Sequence, residues 1–377
     1  MDLDFRAQDV EERQSEVLKL FRALGATYDG FSNRLPLWMQ PRLVRKRARL
    51  AGSIDKLLSA QIRDKFDEIR REAAANGAAA AGGKKSRSVL SLSLQGVDRL
   101  DARYVSQTCD QLKTFLFAGH DTTSILLQWA FYELSRTPRA LAALRAELDD
   151  VFGADTGDDA DAVAGLLRRR GDELLQRLSY TSAVIKETLR LHPPAGSARL
   201  IPAGTGFVVP GPLGRDVCLD GLVLYLCQSM IQRDPAVYGE TADIFAPERW
   251  LGDADTSMST NSGLELNEKA GAGGKIPPSA WRPFERGPRN CIGQELANIE
   301  ARVILALTVR RYDFIKAGKG ELDLDAAGRP QLLEATDQYK TKSPLYNVSR
   351  ATRPVETRLL TSCRRSTLPL SPLTGAS

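Results

Sequence analysis

The sequence predicts a mainly α-helical protein with small β-sheets, of the α+β class, and three observations carry that prediction. Long stretches place apolar residues at spacings of three and four, most clearly over Tyr104–Ser135 and from Cys291 to Leu307. Prolines stand where helices open, as in Thr137-Pro138, or just past their ends, as in Leu191-His192-Pro193-Pro194. Brief apolar runs mixed with Gly and Pro, at residues 200–228 and 312–345, read as short strands.

In chain order, residues 1–75 read as amphipathic helices broken near Gly25–Pro41. The basic run Arg42-Leu43-Val44-Arg45-Lys46-Arg47-Ala48-Arg49 is more simply a solvated helix face than a membrane-surface patch. Residues 76–100 form a linker, Ala/Gly/Lys/Ser-rich from 73 to 88. From Ser88 to Leu94 serine alternates with apolar residues, so helix and strand fit equally. Residues 101–345 carry the main core, with a helix from about 104 to 135 and a second from Pro138 to about Phe152. Residues 153–172 read as an acidic, Gly-containing connection, and a further helix follows from Tyr180 to His192. Between Leu251 and Pro278 lies a Gly/Ser/Asn-rich loop. The tail, residues 346–377, is basic and Ser/Thr/Pro-rich and is expected to be loosely ordered.

The 377 residues, 42% hydrophobic, suffice for one large or two ordinary domains. Charge is 52 − 47 = +5, and basic residues are not interleaved with aromatics, which argues against nucleic acid as a partner. The five cysteines, Cys109, Cys218, Cys227, Cys291 and Cys363, make no C-x-x-C pair, and two histidines do not complete a usual zinc set. Free thiols in a reducing compartment are expected. No apolar run of about 18 residues occurs and the first residues are polar and acidic, so neither a membrane anchor nor a signal segment is expected in this chain. The patterns G-x-G-x-x-G, G-x-x-x-x-G-K, G-x-S-x-G and H-E-x-x-H are missing, so hydride donors and flavins are expected on another protein.

The stretch with most chemical content is Phe284-Glu285-Arg286-Gly287-Pro288-Arg289-Asn290-Cys291-Ile292-Gly293. From Cys291 on, Ile292, Leu296, Ile299, Val303 and Leu307 share one helical face, so the cysteine stands where a loop becomes a helix N-terminus. Unpaired N–H groups and the positive dipole end favour a thiolate there. Gly287 and Gly293 let backbone amides approach the sulfur, and Arg289 adds a fixed positive charge. Three uses compete for such a sulfur. It is a buried structural cysteine, or a nucleophile with His120 or His192 as base, or an axial haem ligand with Arg289 facing a propionate.

A second anomaly lies in the helix over 104–135. Leu112, Phe115, Leu116, Gly119, Thr122, Thr123, Leu126 and Ala130 share a face, yet Ala118-Gly119-His120-Asp121-Thr122-Thr123 puts glycine and polar residues at its middle. Glycine alone costs roughly 1 kcal/mol there relative to alanine. Such a break marks either a function or a polar helix–helix contact. Glu187 and Arg190, three apart on one helix, are by themselves no more than an ordinary surface ion pair.

Taken together, these motifs resemble the cytochrome P-450 family. The Phe284-x-x-Gly287-x-Arg289-x-Cys291-x-Gly293 pattern matches that family's haem-binding loop at every defined position. Gly119-His120-Asp121-Thr122-Thr123 is similar to its oxygen-binding helix, and Glu187-x-x-Arg190 with Pro247-Glu248-Arg249-Trp250 resembles its salt-bridge set. The four motifs cover about residues 100–315, and weaker similarity reaches back to about residue 15. The style is that of fungal enzymes of secondary metabolism, closest to the group acting on polyketide mycotoxin precursors of the sterigmatocystin type.

The resemblance implies a haem-thiolate monooxygenase acting on an apolar small molecule with dioxygen. It implies haem b (iron protoporphyrin IX) held by Cys291, with Phe284, Gly293, Gly119, Arg289 and Arg199 around it and propionates met by the two arginines. Asp121 and Thr122 would deliver protons, and Glu187, Arg190 and Arg249 would hold the haem loop without touching the reaction. Electrons would come from NADPH through a separate flavoprotein reductase. An endoplasmic reticulum membrane surface is the location implied, with peripheral membrane contact. Family members carry an anchor, an early sheet and several helices ahead of the region matched here. The expectation is therefore a shortened member lacking its N-terminal sheet and early helices, with one wall of the pocket open. The alternative outcome is a haem-poor remnant without turnover. A haem-thiolate isomerase ranks below both, because Asp121-Thr122 is intact.

Overall fold

A computed structural model of the chain describes residues 14–28, 36–76, 88–156, 159–211, 214–251, 276–318, 320–334, 336–343 and 359–363. It divides into two compact units, residues 1–118 and 119–377.

The first unit is helical. Helix α1 (Glu16–Gly25) opens on Ser15, whose hydroxyl accepts the Leu18 N–H at 3.3 Å. A 3-10 turn at Leu37–Met39 precedes α2 (Pro41–Asn76), and α3 (Val89–Ser93) precedes α4 (Ala102–Arg136). Along α2, Ile54, Leu58, Ile62 and Phe66 recur every fourth residue and are buried against Val17, Leu90, Leu94, Val105 and Leu112. Each such aliphatic side chain contributes roughly 1.5–3 kcal/mol. The undecided segment 88–94 is a helix, because Ser88 caps it by accepting the Ser91 N–H at 3.0 Å. In the basic run, Arg42, Arg45, Lys46 and Arg49 are exposed, as a solvated face requires. Arg47 is the exception: it donates to the Thr27 carbonyl at 2.6 Å and lies 3.9 Å over the Tyr28 ring. Of the expected linker, residues 77–87 lie outside the described residues, while 88–100 hold α3, with Leu90 and Leu94 buried in the core of this unit.

The second unit takes the rest of α4, then α5 (Pro138–Phe152), α6 (Ala160–Gln176) and α7 (Ser179–Leu191). Strands β1 (Ser197–Leu200), β2 (Val208–Pro210), β3 (Asp216–Cys218) and β4 (Val223–Leu226) follow. Then come the short helices α8 (Gln228–Ile231) and α9 (Pro235–Tyr238), α10 (Gln294–Thr308), β5 (Tyr312–Lys316) and β6 (Leu359–Cys363). The strands form three antiparallel pairs, β1–β4, β2–β3 and β5–β6. Leu126, Ala130 and Leu134 of α4, Leu144 and Leu148 of α5, Val184, Ile185 and Leu189 of α7, and Ala301 and Leu305 of α10 build the core. No helix among the described residues is long and apolar enough to cross a membrane.

One expectation needs correcting. Residues 153–172 are not a connection: α6 occupies most of them, capped by Asp159 on the N–H groups of Asp161 and Ala162. Its pattern is weak because only Val163 and Leu174 are buried and the helix kinks at Arg170 (φ −133°). Of the tail, residues 359–363 are described: they form β6, paired with β5 in register Phe314↔Thr361. Thr137 stands at the N-cap of α5 but makes no capping bond; its hydroxyl instead accepts from Gln338 Nε2 at 2.9 Å. Helix α7 also lacks a local cap. Glu147 on α5 supplies it, accepting the Thr181 N–H at 2.8 Å and the Thr181 hydroxyl at 2.6 Å as well as the Tyr180 N–H. Burial raises the Glu147 carboxyl despite these donors.

Candidate active site

The frame of the site is the charged cluster behind the cysteine loop. Glu187 and Arg190, one helical turn apart on α7, are fully buried, which rules out the surface-pair reading. Arg190 meets the carboxylate with two parallel bonds, Nε at 2.8 Å and Nη2 at 2.7 Å. Its remaining donors reach the carbonyls of Gln232, Ala242 and Ile244. Arg249 Nε joins Glu187 at 2.9 Å, as the motif implies. Two donors were not anticipated: the Trp250 indole at 2.9 Å and the Ala246 N–H at 3.0 Å. Burial alone would push Glu187 up, but Arg190 and Arg249 outweigh it and hold the carboxyl at about 2.

This cluster reaches the cysteine loop through aromatic rings. Trp250 packs edge-on against Trp281 at 6.0 Å, and Trp281 against Phe284 at 6.2 Å. The Trp281 indole donates to the Lys186 carbonyl on α7 at 3.1 Å. Phe284 is half-buried against the main core, and its carbonyl accepts the Cys291 N–H at 2.9 Å, closing the loop. The sequence signal for this linkage was the Trp of Pro247-Glu248-Arg249-Trp250 and the Trp281 three residues ahead of Phe284.

Within the loop, Gly287 has φ 84°, a conformation glycine adopts without strain. Helix α10 begins at Gln294 with Gly293 as its N-cap, so Cys291 lies just ahead of the helix. Gly293 sits beside the sulfur, yet its φ is −86° and a methyl there would meet Cys291 Sγ at an ordinary 3.8 Å. The chain's own atoms therefore do not require glycine at 293. Cys291 is exposed, which removes the buried structural reading. His192 is no candidate base: it is buried, bonded through Nε2 to Glu133 Oε1 at 2.8 Å and stacked on Trp129 at 3.8 Å. Cys109, Cys218, Cys227 and Cys291 are free thiols.

The other expected residues fall on two elements. On α4, which runs unbroken through Gly119, the middle is open: a Cβ at Gly119 would meet nothing within 4 Å. Asp121 is exposed and lies 3.0 Å from His120 Nδ1, and Thr122 is half-buried. The half of the expected face beyond Gly119 is buried at Thr123, Leu126 and Ala130. On β1, Arg199 is exposed and its Nη1 donates to Ser197 Oγ at 2.5 Å and the Ala198 carbonyl at 2.9 Å. The structure thus groups Phe284, Arg289, Cys291 and Gly293 in one loop, and Gly119, Asp121 and Thr122 on one helix. Arg199 stands apart on the small sheet.

The model of the Cytochrome P-450 family matches residues 4–342. The chain is 33% identical over 355 residues to cytochrome P-450 monooxygenase acrF of Aspergillus aculeatus, covering 89% of this chain and 67% of that protein. It is 33% identical over 229 residues to cytochrome P-450 monooxygenase polC of Polytolypa hystricis, covering 60% of this chain and 36% of the relative. A bifunctional cytochrome P-450/NADPH–P-450 reductase of Gibberella moniliformis matches over 213 residues at 33% identity, 55% of this chain and 15% of the relative. In fold, the crystal structure of the cytochrome P450DA heme domain superposes with a TM-score of 0.59 at 24% identity, over 86% of this chain and 60% of that one. The fold is thus the mixed helical one of that family, and the chain belongs to the cytochrome P-450 family. It spans from a seventh to two thirds of the relatives it matches.

That family implies a haem, and the residues present suit one. The exposed sulfur of Cys291 is next to a stripe of apolar side chains facing outward, with Ile292 89%, Leu296 55% and Ile299 42% exposed. The buried residues of α10 are Ala301, Leu305 and Ala306. Arg289 is exposed and has no partner among the described residues. A donor sulfur, an open apolar strip and an unpaired cation match a flat apolar ring that bears carboxylates.

Proposed function

We propose that this chain is the haem-binding part of a monooxygenase that inserts one atom of dioxygen into an apolar small molecule and reduces the other to water. The single observation that carries this reading is the exposed Cys291 sulfur at the head of an open apolar stripe. Bound haem b supplies the redox iron at which dioxygen is reduced. Cys291 Sγ would hold its iron as a thiolate, and Phe284 and Gly293 would shape the loop on either side of the sulfur. Arg289, and Arg199 from β1, neutralise the propionates. Gly119 leaves space beside α4, and the Asp121 carboxyl and Thr122 hydroxyl hold and pass protons into that space. The exposure of Asp121 supports solvent access for that route.

Electrons reach this site from NADPH through a flavoprotein reductase, a reading supported by the bifunctional reductase-bearing relative. The substrate class is a fungal polyketide of the sterigmatocystin-precursor type; the motif resemblance and the fungal relatives support it. Residence at the endoplasmic reticulum surface rests on the same resemblance. Peripheral contact is supported by Leu37, Trp38 and Met39, 53–81% exposed, immediately ahead of the exposed Arg42, Arg45, Lys46 and Arg49.

The test is to express the chain with a haem precursor, reduce it, add carbon monoxide and record the Soret band. The strongly red-shifted band of thiolate ligation is expected. No haem, or a band of neutral-ligand type, overturns the reading in favour of the haem-poor remnant. Thr122→Ala should keep that band while product formed per dioxygen consumed falls by about tenfold or more. Unchanged coupling would remove Thr122 from proton delivery.

A further inference from the structure

One residue of the cysteine loop holds a backbone conformation that its side chain disfavours. Glu285 has φ 59°, the only positive φ at a non-glycine among the described residues. Any residue with a Cβ is strained there, whereas glycine is not. Strain of this kind persists only where the surroundings hold it in place.

The carboxylate of Glu285 shows what holds it. Its Oε1 accepts from Gln228 Nε2 at 2.7 Å and its Oε2 from Arg282 Nη2 at 3.2 Å, and the side chain is 15% exposed. Gln228 is buried at the start of α8. One turn later Gln232, fully buried, accepts the Arg282 N–H at 2.6 Å and donates to the carbonyls of Leu189 and Arg190 at 3.0 Å each. Through these two glutamines, α8 brackets the end of α7 to the entry of the cysteine loop. Glu285 directly follows Phe284, whose carbonyl closes the loop on the Cys291 N–H.

We propose that Glu285 is a positioning residue for Cys291. Its carboxylate latches the strained turn to Gln228 and Arg282, and that latch fixes where the Cys291 sulfur points. A glycine would relax the turn but would have nothing with which to reach α8. The inference deepens the haem-thiolate reading and rests on it for its spectroscopic arm alone.

The test uses the full chain and three variants. Glu285→Gly removes strain and latch together, Glu285→Gln keeps the reach and an acceptor for Gln228, and Gln228→Leu breaks the latch from α8 with the loop sequence intact. In the haem-free chain, the alkylation rate of Cys291 by iodoacetamide is read by peptide mass spectrometry against Cys218, an exposed internal reference. Glu285→Gly and Gln228→Leu are each expected to raise that ratio about tenfold, and Glu285→Gln to stay within about threefold of wild type. The melting temperature of Glu285→Gly should hold or rise, because the backbone strain is gone. In the haem-loaded chain the same two variants should shift the carbon monoxide band from the thiolate to the neutral-ligand type. The proposal is overturned if Glu285→Gly leaves the thiol ratio unchanged. It is equally overturned if Glu285→Gln is as damaging as Glu285→Gly. Should Glu285→Gly not fold, Gln228→Leu decides by the same ratio. A wild-type chain without the thiolate band would sink the haem reading, while the thiol ratios would still decide the latch.

Discussion

Replacing Glu187 with alanine is expected to lower the stability of the chain by about 3–5 kcal/mol, because the change strands a buried guanidinium. Arg190 is fully buried, and its remaining partners are the neutral carbonyls of Gln232, Ala242 and Ile244. Carbonyls satisfy N–H donors but do not cancel a charge. Arg249 Nε, the Trp250 indole and the Ala246 N–H would lose their acceptor as well. Urea unfolding should show a lower midpoint with an unchanged slope. A loss under about 1 kcal/mol would mean that water enters the cluster freely. The same group fixes an acid limb. Glu187 ionises at about 2 in the fold against an ordinary 4.5, so the unfolded chain binds more protons between those values. Its contribution, roughly 3 kcal/mol, is complete above the ordinary value and is lost as pH falls through the folded one. The alanine variant should lack that limb of the wild-type stability profile.

Cys291→Ser should produce the opposite outcome. The cysteine is exposed, so a hydroxyl in place of the thiol should change stability by no more than about 0.5 kcal/mol. The thiolate-type carbon monoxide band should vanish altogether. A melt that moves while the band survives would return Cys291 to a structural role. Set against Glu187→Ala, the pair separates what builds the loop from what the loop presents.

Most of this was legible because it is local. The helices at 104–135 and 138–152 carry strong three-and-four spacing, and α4 and α5 occupy those positions within a few residues. The cysteine loop and the Glu187–Arg190 pair are short motifs whose members are chain neighbours. What escaped is either weak or distant. Helix α6 is hidden in the sequence because Gly165, Gly171 and a run of arginines interrupt its apolar spacing. Strand β6 lies in a stretch whose composition suggests a disordered tail, and only pairing with β5 reveals it. The bond between Glu133 and His192 spans 59 residues, and the one between Gln228 and Glu285 spans 57. No local spacing encodes either. Periodicity puts Ile292, Leu296 and Ile299 on one face, but it reports which residues share a face and not what covers it, and here the face is exposed.

Helix α7, which carries Glu187 and Arg190, borrows its cap from Glu147, more than thirty residues earlier on α5. An isolated α7 of 13 residues would leave its first N–H groups unpaired and would be too short to persist in water. In the folded chain the Glu147 carboxylate of α5 supplies those missing acceptors. The two helices therefore depend on each other for their stability and are expected to gain and lose structure together.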